Sequence, residues 1–168
     1  MTTDSEMMKD PVCDMQVAPQ QNAITYQGMH FAFCSLQCKE RFLANPHLYI
    51  GSAAEQAPRQ QGQQLFKRRH LRLDKPLTPS AAQQVGEALL AMMGVHAVDV
   101  AGEELTITYD LLQVSAEQIE GTLQEIGVEL GGGMGEQLRR AFIHYREEAE
   151  VENLEVRPGF HGYGGRHP

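Results

Sequence analysis

Three cysteines carry the most distinctive chemistry in this sequence, in the pattern Cys13-x20-Cys34-x3-Cys38. Residues four apart lie on neighbouring turns of a helix, so Cys34 and Cys38 can point into one pocket from a strand-to-helix junction. Cys13 would arrive from a separate knuckle, Asp10-Pro11-Val12-Cys13, stiffened by Pro11. An odd number of cysteines cannot close completely into internal disulfides. The polar, acidic stretch Met1–Lys9 lacks the basic run and apolar core of a secretion signal. The thiols are therefore expected to be reduced and the protein cytoplasmic. Three uses remain for them: metal binding, thiol catalysis, or service as small buried apolar groups.

Soft thiolates suit Cu(I) and Zn(II). Zinc ordinarily takes a fourth ligand. His30 is the candidate, because an extended Met29–Phe33 places His30, Ala32 and Cys34 on one face and Phe31 and Phe33 on the other. Asp14, Met15 and Met29 are weaker alternatives. Cu(I) could be satisfied by two or three sulfurs alone. No motif supplies a general base for catalysis, although His30 or His47 could lie close.

The elements that must position these residues can be read locally. Ala23–Tyr26 and Met29–Phe33 suit two short strands joined by a Gln27-Gly28 turn. Ser35 is a helix cap, Leu36–Leu43 the helix with Phe42 and Leu43 inward, and Pro46 its stop. The small polar stretch 51–64 has the composition of a linker. Beyond it the order is strand (65–73), helix capped by Thr78-Pro79 with Val85, Leu89 and Met92 inward, then strands 95–100 and 105–109. A helix capped by Ser115, with Ile119, Leu123 and Ile126 inward, and a short strand 128–130 complete the set. That is a ferredoxin-like βαββαβ order. After Gly131-Gly132-Gly133, the residues Leu138, Phe142, Tyr145 and Ala149 recur at helical spacing, as in an amphipathic helix that covers a surface or a partner. The glycine run lacks the Gly-Lys-Ser/Thr that would make it a phosphate cradle.

The predicted architecture is α+β. It comprises a small treble-clef-like metal-binding domain (10–50), a ferredoxin-like βαββαβ domain (65–130) and a C-terminal amphipathic helix (134–152). Two small domains have little volume for burying apolar area, so a metal or a partner can be needed to hold them. The net charge of −8, with Lys67-Arg68-Arg69 the only dense basic run, argues against a nucleic-acid partner. No run approaches the roughly 20 apolar residues of a bilayer span, so no membrane insertion is expected. His144 is expected at a surface or interface, and His161 and His167 are candidates for auxiliary metal capture.

Residues 10–50 resemble the YHS domain, one of the treble-clef-like TRASH group of metal-binding modules. The matching residues are Asp10 to Met15, Tyr26-Gln27-Gly28, Phe31 to Cys38, Phe42, Pro46 and Tyr49. The resemblance implies metal handling, often beside heavy-metal transporters. Asp14 departs from the family's usual glycine and Ala32 from a frequent aromatic residue; neither change removes a thiol. Residues 65–130 resemble a heavy-metal-associated domain in element order and in the stretches 94–100, 105–110 and 114–119 followed by Ile126-Gly127. Such domains hold Cu(I) or Zn through a CxxC loop before their first helix. Here that stretch, Asp74 to Ser80, contains no cysteine. Only fold and docking behaviour carry over. The implied partners are a heavy-metal transporter, a metallochaperone or similar domain, or a second copy in a homodimer. Together these features predict a non-enzymatic metal-binding accessory protein working in transfer, buffering or sensing. A structural-zinc assembly factor or adaptor is the alternative.

Overall fold

The alternation Leu105, Ile107, Tyr109 builds the central strand of the larger part of the chain, because all three side chains are fully buried on one face. The computed structural model describes residues 6–155. In it β5 (Phe66–Arg72) and β6 (Val95–Ala101) flank β7 (Glu104–Asp110) in the antiparallel order β5-β7-β6. β5 and β7 stay in register from Phe66↔Asp110 to Arg72↔Glu104, whereas β6 carries an irregularity between Val95 and Ala97. α2 (Pro79–Leu90) begins as expected: Thr78 accepts from the Ala81 amide at 3.2 Å, and Pro79 occupies the first turn. Gly94 ends the approach to β6 at φ +86°, and a Cβ there would lie 2.5 Å from Gln113 Cβ. α3 (Ala116–Glu125) starts with a reciprocal box between Ser115 and Gln118. Val85, Leu89, Ile119 and Leu123 face inward, whereas Ile126 is exposed.

The strand expected at 128–130 is reduced to one bridge, Leu73↔Leu130, flanked by Asp74 N–H to Glu129 O at 2.9 Å and Gly131 N–H to Arg72 O at 2.8 Å. Three glycines follow at once, and glycine is a poor strand former. α4 (Met134–Leu154) approaches the β5 side of the sheet instead. Buried Glu147 on α4 takes a hydrogen bond from the Tyr109 hydroxyl and one from Ala116 N–H at 2.8 Å, with Arg69 at 3.4 Å. Lys67 reaches Glu150 at 2.6 Å, and His144 meets Glu120 at 2.9 Å. Val151 and the half-buried Ile143 face inward, so the stripe Leu138, Phe142, Tyr145 is not the covering face. Those three are 65, 59 and 67% exposed, and Met134 beside them 79%. The inward face was hidden from pattern reading because it is built largely from ion pairs.

The cysteine-bearing part consists of two small hairpins and one helix. β1 (Met8–Lys9) pairs with β2 (Gln16–Val17), and β3 (Ile24–Tyr26) with β4 (Met29–Phe31). Gln27 and Gly28 turn the second hairpin with φ +50° and +78°, the double left-handed geometry of a tight hairpin turn. α1 (Leu36–Ala44) is capped by Ser35, and Pro46 ends it in a single 3-10 turn. Phe42 lies at the centre of the core, with the rings of Tyr26, Phe31, Phe33 and Tyr49 at 4.8–5.8 Å. Leu43, expected inside, is 48% exposed, because α1 buries Cys38, Arg41 and Phe42.

A single apolar core runs from Val12, Phe33, Phe42 and Leu48 into Leu111, Leu112 and Val114. Polar bonds lock the same contact. Gln37 donates to Met93 O at 2.7 Å and accepts from Met93 N–H at 3.1 Å. Arg41 donates to Leu111 O at 3.0 Å, and Tyr49 to Leu112 O at 2.6 Å. The stretch 51–64 is mostly exposed but tied down, with Arg59 N–H bonded to Leu48 O at 2.9 Å and Ala57 fully buried.

Candidate metal centre

The site begins with a buried carboxylate. Asp10 has no exposed surface. Its Oδ1 accepts from Val12 N–H at 2.8 Å and, more weakly, from Cys13 N–H at 3.4 Å. Its Oδ2 accepts from Cys34 N–H at 2.8 Å. One side chain therefore folds the Asp10–Asp14 knuckle on itself and pins it to the end of the β3–β4 hairpin. The first half is a side-chain-to-backbone turn of the kind aspartate favours two residues upstream. Asp10 N–H returns to Met15 O at 2.8 Å and closes the loop. Ser35 supplies the other half, accepting from Cys38 N–H at 3.3 Å and so starting α1 with Cys38 in its first turn.

These constraints bring Cys13, Cys34 and Cys38 together. Cys13 Sγ lies 3.5 Å from Cys34 Sγ, which lies 3.5 Å from Cys38 Sγ. With one Asp10 oxygen, the donor atoms all fall within 4.8 Å of one another. Tetrahedral zinc with Zn–S bonds of about 2.3 Å would space its sulfurs by about 3.8 Å, so the cluster is sized for one ion. Cys13 and Cys34 are half-buried and Cys38 has no exposure. The protons are unequally held. The neighbouring Cys38 thiol, with the Met15 amide, draws the Cys13 pKa below the ordinary thiol value, against burial and the Asp10 charge. Burial raises Cys34 to about 11. The closeness of Cys13, followed by burial and the Asp10 charge, raises Cys38 strongly. Of the two half-buried sulfurs Cys13 is thus the proton-poor one, and the thiol most strongly held protonated is the buried Cys38.

Asp10, not His30, stands with the three cysteines. His30 lies on β4 with its ring nitrogen 2.6 Å from Pro19 O, so its imidazole is engaged on the hairpin's outer side and is not among the clustered donors. The expected strand alternation fails here because β4 ends at Phe31, and Ala32 and Phe33 are both buried before the chain reaches Cys34. Asp14 turns outward to Lys9 and Arg59. Met15 and Met29 are 46 and 41% exposed. His47 packs edge-on to Tyr26, and His161 and His167 lie outside the described residues. Asp10 could have been found in the sequence from the Asp-Pro-x-Cys turn, where the aspartate bonds its own backbone.

The cysteine-free stretch 74–80 lies elsewhere. It follows β5, and Leu77 N–H approaches Gly102 O in the β6–β7 turn at 3.5 Å. α1 docks at the other end of the sheet, on Met93 and Leu111–Gln113.

Residues 8–53 match the YHS domain, which contains the whole cluster. The matched domain is a non-catalytic type of module, which is consistent with a non-enzymatic chain. No curated protein sequence matches the chain. Among solved structures, oxidized MerP from Ralstonia metallidurans CH34 is similar over 39% of this chain and 94% of its own, with 18% identity and a TM-score of 0.37. At that score the likeness adds nothing to the βαββαβ-like arrangement, which rests on the strand register. No helix among the described residues is long and apolar enough to cross a membrane.

Proposed function

We propose that the chain is a cytosolic metal-binding accessory protein that holds one exchangeable Zn(II) or Cu(I) on Cys13, Cys34 and Cys38. The observation that carries this is the gathering of three sulfurs within 4.8 Å of one another, two half-buried and one fully buried. A half-exposed, proton-poor Cys13 can accept an ion or surrender it to another thiolate. Cys34 and Cys38 then close or open the site by stepwise ligand replacement, releasing or regaining protons. With Asp10 braced by backbone amides, the site among the described residues offers three sulfurs and no imidazole, a donor set that suits Cu(I) or a zinc ion with one replaceable position. The thiolate knuckle, hairpin and helix start support a treble-clef-like module. The β5-α2-β6-β7-α3 order with its residual 128–130 edge supports a ferredoxin-like, heavy-metal-associated type of domain stripped of its own thiolates. Its role is recognition of a heavy-metal transporter or metallochaperone.

Asp10's place as a buried brace favours a second reading, a structural zinc that fixes the knuckle and never leaves. Anaerobic native mass spectrometry after Zn(II) or Cu(I) loading, beside the Cys13→Ala/Cys34→Ala/Cys38→Ala variant, tests the site. One retained ion in wild type and none in the variant is expected. No retained ion in reduced wild type sinks the proposal. Exchange to a thiolate-bearing acceptor with the fold intact separates carrier from scaffold.

A further inference from the structure

We propose that Asp14, Arg59 and Asp110 form a latch through which the second domain restrains metal release from the cysteine site. The inference rests on Cys13, Cys34 and Cys38 being that site. Asp14 adopts φ +68°, a left-handed conformation that favours glycine. Its carboxylate receives Arg59 Nη2 at 3.1 Å and Lys9 Nζ at 3.0 Å. The Arg59 side chain is only 10% exposed, although it springs from the polar connector, and its Nη1 lies 3.7 Å from Asp110 Oδ2. Its Nε is buried without a partner, so the guanidinium makes these two ion pairs at a desolvation cost.

Asp110, at the end of β7, is fully buried and accepts from Leu65 N–H at 2.9 Å, Leu112 N–H at 3.0 Å and Gln113 Nε2 at 3.0 Å. One guanidinium therefore joins the residue after Cys13 to the backbone of the second domain. Releasing an ion through Cys13 requires the Asp10–Met15 knuckle to move, and the latch opposes that movement. By linkage, an ion that fixes the knuckle also tightens the amides held by Asp110. Lys9, 62% exposed, holds Asp14 from solvent and does not reach the second domain.

The test uses the full chain loaded with Zn(II), with release followed into an excess of a chromophoric chelator. Asp14→Gly removes the latch while relieving the left-handed backbone. The metal-free variant should keep its thermal midpoint, yet the zinc-loaded variant should bind its ion about fivefold more weakly or worse, the low end of typical site-to-site coupling, and release it faster than wild type. Arg59→Met should speed release likewise but with a lowered thermal midpoint, because it leaves the buried Asp110 carboxylate without its cation, and Lys9→Gln should change neither. Amide hydrogen exchange at Leu65 and Leu112 should slow on zinc binding in wild type and stay unchanged in Asp14→Gly. Release from both latch variants at the wild-type rate, or amides that respond equally in Asp14→Gly, overturns the latch while leaving the metal site standing. A wild type that retains no zinc overturns both.

Discussion

Replacing Asp10 with asparagine changes one atom's chemistry at the hinge of the site, and its two consequences run in opposite directions. The carboxylate accepts two short bonds, from Val12 and Cys34 N–H at 2.8 Å each, and a longer one from Cys13. An amide can keep only one oxygen, and its NH2 must then face a backbone N–H. Hydrogen bonds to charged groups contribute about 1.5–3 kcal/mol, and a stranded buried donor costs a similar amount. The surviving bond also becomes neutral, but removing a charge beside the thiols offsets part of the loss. The expected cost to the metal-free protein is about 2–4 kcal/mol, or roughly 5–15 °C in thermal midpoint for a chain of this size. Asp10 also contributes to raising all three thiol pKa values, so Asp10→Asn should move the midpoint of thiol alkylation in the folded protein to lower pH. Urea unfolding and pH-dependent alkylation, both on reduced metal-free protein, read the two effects. A stability loss below about 0.5 kcal/mol would show that the carboxylate does not brace the knuckle. An alkylation midpoint that rises would refute the electrostatic account.

Burial and thiol hydrogen bonding raise Cys34 to about 11 and Cys38 further, so their stability contributions are complete below the unfolded thiol value of about 8.5 and fade as pH climbs toward 11. Cys13, lowered, contributes above the unfolded value and loses that contribution as pH falls through its folded pKa; with two thiols against one, the urea midpoint should drop between pH 8 and 10.5, and a rise would contradict the assignment. Because binding must displace the Cys34 and Cys38 protons, zinc affinity in competition titrations should strengthen about 100-fold per pH unit while Cys13 is already ionised; a flat profile would exclude those two thiols as ligands. Glu147→Ala should cost about 3–5 kcal/mol by urea unfolding, since it strands Arg69, the Tyr109 hydroxyl and Ala116 N–H; under 1 kcal/mol would mean that α4 is held by its apolar contacts alone.

Much of this molecule is written locally. Thr78-Pro79, Ser115 with Gln118, and Ser35 each state a helix start in side-chain chemistry, and each caps its helix. Leu105, Ile107 and Tyr109 announce a strand by alternation alone. The three sulfurs meet because their spacing matches a knuckle and a helix start. What escaped was non-local. An extended Met29–Phe33 would set His30 on the face of Cys34, but β4 ends at Phe31. Asp10 acts beyond its own turn because its second oxygen reaches Cys34, 24 residues away. The burial of α4 could not be read from hydrophobic periodicity, because Arg69, Lys67, Glu147 and Glu150 build its inner contact from charges on distant elements.

The connector 51–64 shows why composition alone does not make a linker. Its residues are small and polar, yet Ala57 is fully buried and Arg59 nearly so. Separating the two halves would expose Leu111, Leu112 and Phe42 and strip partners from Arg41, Tyr49 and Asp110. Arg41 is 4% exposed, with its Nε–H committed to Leu111 O across the contact and its Nη1 to Asn45 on its own side. A buried cation that loses a partner is strongly destabilising. The aromatic cluster around Phe42 is also too small a core to offset much chain entropy alone. The cysteine site therefore stands on a platform formed by both halves. The cysteine-free loop at the opposite end of the sheet leaves the second domain with no competing thiolates, and its contribution to the site is mechanical support.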